Sequence, residues 1–198
     1  TGNTFTAGAI DLKVDSQTHY NNAVCTNGLW VLEQNQTVTV PQYPVIGSAC
    51  GGTWGQDPVG GKDIVSEKFF EFADIKPGDS GENTISLHVI NNDAWLCAEV
   101  SGLTSNDVSQ TEPESQAVLD TDDMTSGELD DQMVWTIWRD DGDNIMNSDE
   151  TALLSGHPVN GVLPLYDSTT GAALTGDSVT YLGVKWELPA SSGNETQT

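Results

Sequence analysis

Residues 9–14 read AIDLKV and residues 84–90 read TISLHVI. In both, apolar side chains fall at every second position: Ile10, Leu12 and Val14 against Asp11 and Lys13, then Ile85, Leu87 and Val89 against Ser86 and His88. A period of two sends successive side chains to opposite faces of an extended chain, so one face meets a core and the other meets water. The strand reading extends to LWVL (29–32), TVTV (37–40), EKFFEF (67–72), WLCAEV (95–100), MVWTIW (133–138) and VTYLGVKW (179–186), all rich in β-branched and aromatic residues. Turn formers separate them at PGDSGE (77–82), NND (91–93), DDGDN (140–144) and STTGAALTGD (168–177). One short helix is expected through DETALLSG, with Ser148 as its cap, Asp149 and Glu150 in its first turn and Gly156 at its end.

Many short strands at close spacing predict an all-β fold, a jelly-roll-type β-sandwich in a single domain over 1–198. In this reading residues 1–15 carry the first strand and 16–63 form a long insertion. Residues 64–198 make the rest of the sandwich, with a long acidic loop at 104–131. Ile10, Leu12 and Val14 are expected in the core.

Acidic residues outnumber basic ones 30 to 6, for a formal charge of −24. Phosphate backbones and anionic membranes demand clustered Lys and Arg, so nucleic acid and membrane surfaces are poor partners for such a chain. The acids are spread along the sequence rather than gathered in a tail. An acidic shell with few lysines fits a halophilic protein, because high salt screens its self-repulsion; an acidic extracellular protein is the alternative. No apolar run reaches the length of a membrane span. The start at Thr1 reads as already processed.

Cys25 and Cys50 flank a polar, Gly-rich stretch and are expected to form a disulfide stabilising the fold by about 3 kcal/mol in an oxidising compartment. Cys97 lies in an apolar run and is expected to be free and buried. His19, His88 and His157 are far apart in the sequence, and neither an HExxH pair nor a G-x-S-x-G elbow is present. His88 should point away from the face of Leu87 and Val89 as a hydrogen-bonded or solvated side chain.

The densest charge lies in WRDDGDNIMNSDE (138–150), beside the chain's single arginine, Arg139. Calcium takes six to eight hard oxygens, which alternating aspartates in a turn can supply. The EF-hand register fails, since Glu150 at its twelfth position would put Arg139 at the first. The candidate calcium ligands are therefore Asp141 and Asp143, completed from Asp140, Asn147, Asp149 and Glu150, with Glu112 and Glu114 able to approach from the long loop. The competing reading is a solvated acidic turn. Asn35-Gln-Thr and Asn194-Glu-Thr are glycosylation sequons.

The stretches TFTAGAIDLKV (4–14), IKPGDSGENTISLHVINNDAWLCAEV (75–100), GELDDQMVWTIWRDDGDNIMNSDE (127–150) and YLGVKWELP with GNETQT near the end together resemble the TasA/camelysin family of secreted fibre proteins, in its acidic, archaeal-looking branch. The resemblance rests on an F-x-A-G-x-[IL]-D-L strand near the start, a K-P-G-D turn and a strand ending in paired Asn. It implies processing by a SipW-type signal peptidase, a jelly-roll sandwich and assembly into extracellular filaments of a biofilm matrix or pilus. Subunits in such fibres are joined by donor-strand complementation between copies of the same chain. The 16–63 link is longer than usual, and relatives continue into another strand beyond the position of Thr198. A protease activity described for camelysin does not carry over, for want of a zinc motif.

The expected function is thus a non-enzymatic subunit of a homopolymeric extracellular filament. Thr4, Phe5, Thr6 and Ala7 are the expected subunit-joining residues, within a donated segment of residues 1–7 anchored by Phe5. The alternative is a monomeric calcium-dependent cell-surface binding module.

Overall fold

The computed structural model describes residues 10–37, 43–56, 60–72, 74–106, 127–158, 160–169, 171 and 173–196. The expected all-β sandwich is present. One layer is a seven-stranded antiparallel sheet in the order β3-β2-β1-β4-β9-β6-β7, built from β1 (Asp11–Tyr20), β2 (Ala23–Thr26), β3 (Leu29–Leu32), β4 (Ser80–Ile90), β6 (Val134–Asp140), β7 (Ala152–Gly156) and β9 (Ser178–Glu187). The other layer pairs β5 (Leu96–Val100) with β8 (Gly161–Tyr166). The chain changes layer between β4 and β5, β5 and β6, β7 and β8, and β8 and β9.

Alternation explains the central strands. On β1 the buried side chains are Val14, Ser16, Thr18 and Tyr20; on β4 they are Gly81, Asn83, Leu87 and Val89, with Ser86 on the opposite face. Two apolar clusters result on one face of the large sheet. Val14, Leu87, Val89 and Leu182 pack against Leu165 and Tyr166 of β8 and against Leu174. Toward the other end, Tyr20, Ala23, Cys25, Trp30, Met133 and Trp186 form a second cluster covered by Tyr43, Cys50, Phe70, Phe72 and Ile75. Tyr20 is its hub, making edge-on ring contacts with Trp30, Tyr43, Phe72 and Trp186 at centroid distances of 5.0–6.1 Å. Burial and a 2.8 Å hydrogen bond to Asp79 keep the Tyr20 hydroxyl protonated far above its ordinary range.

A polar layer separates the clusters. Ser16 Oγ lies 2.7 Å from the Gly52 carbonyl and 2.6 Å from Asn83 Oδ1, and Asn83 Nδ2 donates to Thr18 Oγ1 and to the Phe69 carbonyl. All three side chains are fully buried. Gly52, at φ +86°, is required there: a Cβ would meet Thr18 Oγ1 at 2.3 Å and the Phe69 carbonyl at 2.5 Å.

Several expectations are corrected. β1 does not end near residue 15; it runs to Tyr20, and residues 23–32 form two further strands of the same sheet, so the stretch read as an insertion begins as sheet. The signal was the Asn27–Gly28 pair, both at positive φ, closing the β2–β3 hairpin with a two-residue turn. Past residue 15 the inward positions turn polar, which hides the strand from a hydrophobic reading. EKFFEF is not a strand; Phe69, Phe70 and Phe72 instead plug the two clusters as an irregular segment. Most of TVTV lies outside the described residues. The helix expected through residues 149–156 is replaced by β7, which pairs with β6 from Trp135↔Gly156 to Trp138↔Ala152 around a bulge. A full ladder of tertiary hydrogen bonds outweighs one turn's worth of helix signals. Ile10 is 57% exposed and Leu12 half-buried, so only Val14 of that trio is core. The acidic loop's residues 107–126 lie outside the described residues, but its ends meet where Ser105 Oγ donates to the Gly127 carbonyl at 2.7 Å.

Cys25 and Cys50 are bonded, with Cα atoms 5.8 Å apart. The bridge fastens the covering segment to β2. Cys97 is free, but exposed rather than buried, because it points outward from β5 between the inward Leu96 and Ala98. A maleimide added to the native protein is therefore expected to modify one site, Cys97, as read by intact mass and peptide mapping; modification of Cys25 or Cys50 before reduction would contradict the bridge.

Candidate functional site

The acidic stretch 140–150 emerges from β6, and strand alternation settles its surroundings. Trp138 and Asp140 point to the outer face of the large sheet, away from β8. Arg139 points inward, where Nε and Nη2 donate to the Leu165 carbonyl and the guanidinium stacks 4.4 Å over Tyr166. The single arginine therefore does not neutralise its acidic neighbours. Trp138 is 1% exposed and lies on Gly183 of β9, where a Cβ would come within 2.1 Å of the indole. The loop folds back over this face: Thr84 Oγ1 donates to Asn144 Oδ1, and Gly142 sits against the Tyr181 ring.

Most of the carboxylates serve the loop's own backbone. Asp140 Oδ1 accepts from Trp138 Nε1, and Oδ2 accepts from the amides of Gly142 and Asn144 at 2.9 and 3.3 Å. Asp141 Oδ1 accepts from the Asp143 amide, and Asp143 accepts from the Ile145 amide and Asn147 Nδ2. Glu150 reaches back to the amides of Asp141 and Asn147 at 3.0 and 2.7 Å. The bonds from Asp140, Asp141 and Asp143 to the amides two residues on are Asx turns, which let short acidic side chains replace a missing ladder. Of the sequence-predicted cation ligands, Asp140, Asp141 and Asp143 bring carboxylate oxygens within 4.8 Å of one another, Asp140 buried and the other two exposed. This all-oxygen set suits a hard cation. Asn147 and Glu150 are engaged in holding the loop, and Asp149 lies outside the three-carboxylate group. Glu112 and Glu114 lie outside the described residues, as do Thr4, Phe5, Thr6 and Ala7.

Beside the loop runs a groove of about 400 Å³ lined by His19, Glu33, Glu82, Asp143, Asn144 and Lys185, among others. Glu82 is its distinctive residue. Its Oε1 is buried without a hydrogen-bond partner. Lys185, its cross-strand neighbour, turns instead to Glu187 at 3.1 Å, and His19 pairs with Glu33 at 2.9 Å. Burial first, and the nearby Asp140 charge second, push the Glu82 carboxyl up to about 7. The groove can hold a proton on Glu82 near neutral pH; among the described residues it offers no nucleophile paired with a base. Sequence reasoning passed over Glu82, although alternation in SGENTISLHVI already put it on one face with Thr84, Ser86 and His88.

His88 is on that outer face, as expected, bonded to Asp15 at 2.9 Å, and His157 Nδ1 lies 3.0 Å from the Met133 carbonyl. The sequon at Asn35 occupies an exposed turn, with Asn35 at φ +67°. Asn194 is exposed in a single turn of 3-10 helix, but its Thr196 is buried. Among the described residues no helix is long and apolar enough to cross a membrane.

The raised Glu82 pKa fixes a sign. Between its ordinary 4.5 and about 7 the folded chain holds a proton that the unfolded chain has lost, so stability falls as pH rises through that window and is level above it. Partial exposure screens the effect to about 1–2 kcal/mol. Glu82→Gln is expected to flatten this part of the stability–pH curve and to stabilise the protein at pH 8, measured by urea denaturation; an unchanged slope between pH 5 and 7 would remove Glu82 as its source. Comparison with known proteins finds no matching family model, no matching curated protein and no matching solved structure, so the functional argument rests on the chain itself.

Proposed function

We propose that the chain is a structural, non-catalytic subunit of a secreted extracellular filament, joined to copies of itself by strand donation. One observation carries the reading: the edges of the sandwich are treated unequally. β3, at one edge of the large sheet, is sealed by the chain's own residues 47–50, through Trp30 N to the Ser48 carbonyl, Gly47 N to the Trp30 carbonyl and Cys50 N to the Gly28 carbonyl. The outer edges of β5 and β7 have no backbone partner among the described residues. Unpaired N–H and C=O groups on a strand edge are a template for another chain. A two-stranded layer facing seven strands is also a thin cover that an added strand would extend. The disulfide supports an oxidising, extracellular location.

The donated segment in this reading is residues 1–7, with Phe5 as its apolar anchor. Deleting residues 1–7 is expected to leave a folded monomer, with its melting temperature close to that of the full chain, that no longer elongates under negative-stain microscopy. Filaments of normal appearance from the truncated protein would move the joint elsewhere in the chain.

The three-carboxylate group favours one addition, calcium held by Asp140, Asp141 and Asp143, either in the filament subunit or in a monomeric surface module. A ligand bound only by the folded state stabilises it by mass action, by about 2.7 kcal/mol at a hundredfold excess over Kd. Calcium returned to chelator-treated protein is expected to raise the melting temperature, and Asp141→Asn with Asp143→Asn to abolish the rise. No rise at low or high salt would leave the loop a self-capped turn. Microscopy separates the two settings, since fibres exclude the monomeric module.

A further inference from the structure

Two Asn-x-Thr triplets occur in the chain, Asn35-Gln36-Thr37 and Asn194-Glu195-Thr196, neither with proline at its middle position. A transferase that places sugar on such a triplet must reach the Asn side-chain amide and the hydroxyl two residues on together. The fold treats the two triplets differently. Asn35, Gln36 and Thr37 are all exposed, and neither the Asn35 side-chain amide nor the Thr37 hydroxyl bonds to another described residue. In the second triplet Asn194 is exposed, but Thr196 is buried and its Oγ1 faces the Gly193 carbonyl at 3.5 Å within a turn of 3-10 helix. That hydroxyl is turned into the protein.

Local geometry explains why the first triplet stays open. β3 ends at Leu32, and the chain is then held at Glu33, whose amide donates to the Asn22 carbonyl at 3.0 Å and whose carboxylate pairs with His19 at 2.9 Å. Gln36 N closes a turn onto the Glu33 carbonyl at 3.2 Å, with Asn35 at φ +67°, a conformation that Asn tolerates better than most residues. The turn is fixed at its root and leaves its triplet in solvent. The Cys25–Cys50 bridge supports the remaining condition, passage through an oxidising compartment outside the cytoplasm.

We infer that Asn35 is an N-glycosylation site that takes its sugar from a lipid-phosphate-linked oligosaccharide, and that Asn194 is left bare. The Asn35 side-chain nitrogen forms a bond to the anomeric carbon of the sugar. The bond from that carbon to the phosphate oxygen breaks, its electron pair leaves on the lipid phosphate, and the nitrogen loses one proton; nothing is oxidised or reduced. The inference rests on the secreted location in the filament reading, and the site's position suits that reading. β3 and β7 are opposite edges of the large sheet, six steps of about 4.8 Å apart. A sugar on the turn after β3 stands at the edge that residues 47–50 already seal, where Leu29 and Val31 are exposed, and leaves the β7 edge clear.

The test is intact-mass measurement and peptide mapping of the full chain exported by its native host, beside Thr37→Ala, Thr37→Ser and Asn194→Gln made in the same host. The peptide holding Asn35 should carry a sugar mass in the unsubstituted chain, in Thr37→Ser and in Asn194→Gln, and should lose it in Thr37→Ala. Thr37 is exposed and bonds to no other described residue, so Thr37→Ala keeps the fold, and retention by Thr37→Ser ties the loss to the hydroxyl rather than to packing. A bare Asn35 in the exported chain overturns the site and leaves the filament reading standing. Sugar that persists in Thr37→Ala overturns attachment through the triplet. Equal occupancy at Asn194 overturns burial of Thr196 as the selector. A chain that the host keeps in its cytoplasm overturns the extracellular reading and this inference with it.

Discussion

Asn83 and the two hydroxyls beside it hold the fold's layers in register. The large sheet has one inner face but two covers, the small sheet over one half and irregular backbone carrying Tyr43, Cys50, Phe70, Phe72 and Ile75 over the other. Irregular backbone laid on a sheet carries polar groups that must be satisfied where water is excluded. Gly52 and Phe69 meet that requirement through Ser16, Thr18 and Asn83, while Val14 and Ser16 bond directly to the backbone of Lys62 and Trp54. Losing the Asn83 amide would strand several buried partners at once, at about 1–3 kcal/mol each. The disulfide and the Tyr20 aromatic cluster then fix a cover whose placement the polar layer has already chosen.

The acidity of the chain divides into two populations with different work. One part is structural: Asp140, Asp141, Asp143 and Glu150 cap amides within a single loop, Asp79 holds Tyr20 and Asn21, and Asp177 and Asp93 tie turns together. These carboxylates act as hydrogen-bond acceptors for backbone that has left the sheet, and their crowding in 140–150 follows from that loop's sharp turns at Gly142 and Asn144. The other part is surface charge, some of it in ion pairs such as Glu67 with Lys62 and Asp15 with His88. It does not specify the fold and acts mainly on association. Glu82 belongs to neither, a carboxyl trapped between the loop and the sheet without a donor for Oε1.

How much of this was legible depended on whether a strand's inner face was apolar. β4, β6 and β9 were readable because Leu87, Trp135 and Val184 recur at the inward positions. The second half of β1 was not, since Ser16 and Thr18 fill inward positions with hydroxyls that only the folded structure satisfies. β7 and β8 were missed for a related reason: ALLSG and GVLPLY are short, and their state is set by pairing with β6 and β5 rather than by their own pattern. At the site, sequence spacing brought Asp140, Asp141 and Asp143 together correctly. It could not show that Glu150 is occupied by backbone amides and the Asn147 side chain by the Asp143 carboxylate, or that Glu82, some sixty residues earlier, would close the same groove.

A chain this acidic meets a physical limit on what it can join. Its lysines sit in surface ion pairs with its own carboxylates and Arg139 is spent on the Leu165 carbonyl and the Tyr166 ring, so two copies would meet chiefly as like charges, which oppose contact within the screening length. Two kinds of attraction survive that condition. Backbone hydrogen bonds along an open edge carry no net charge, and apolar burial gains strength as salt rises. The edges of β5 and β7, which have no backbone partner among the described residues, offer the first. Backbone pairing needs no opposite charge on either side, so an unpartnered strand edge is a contact that stays open to a surface this acidic.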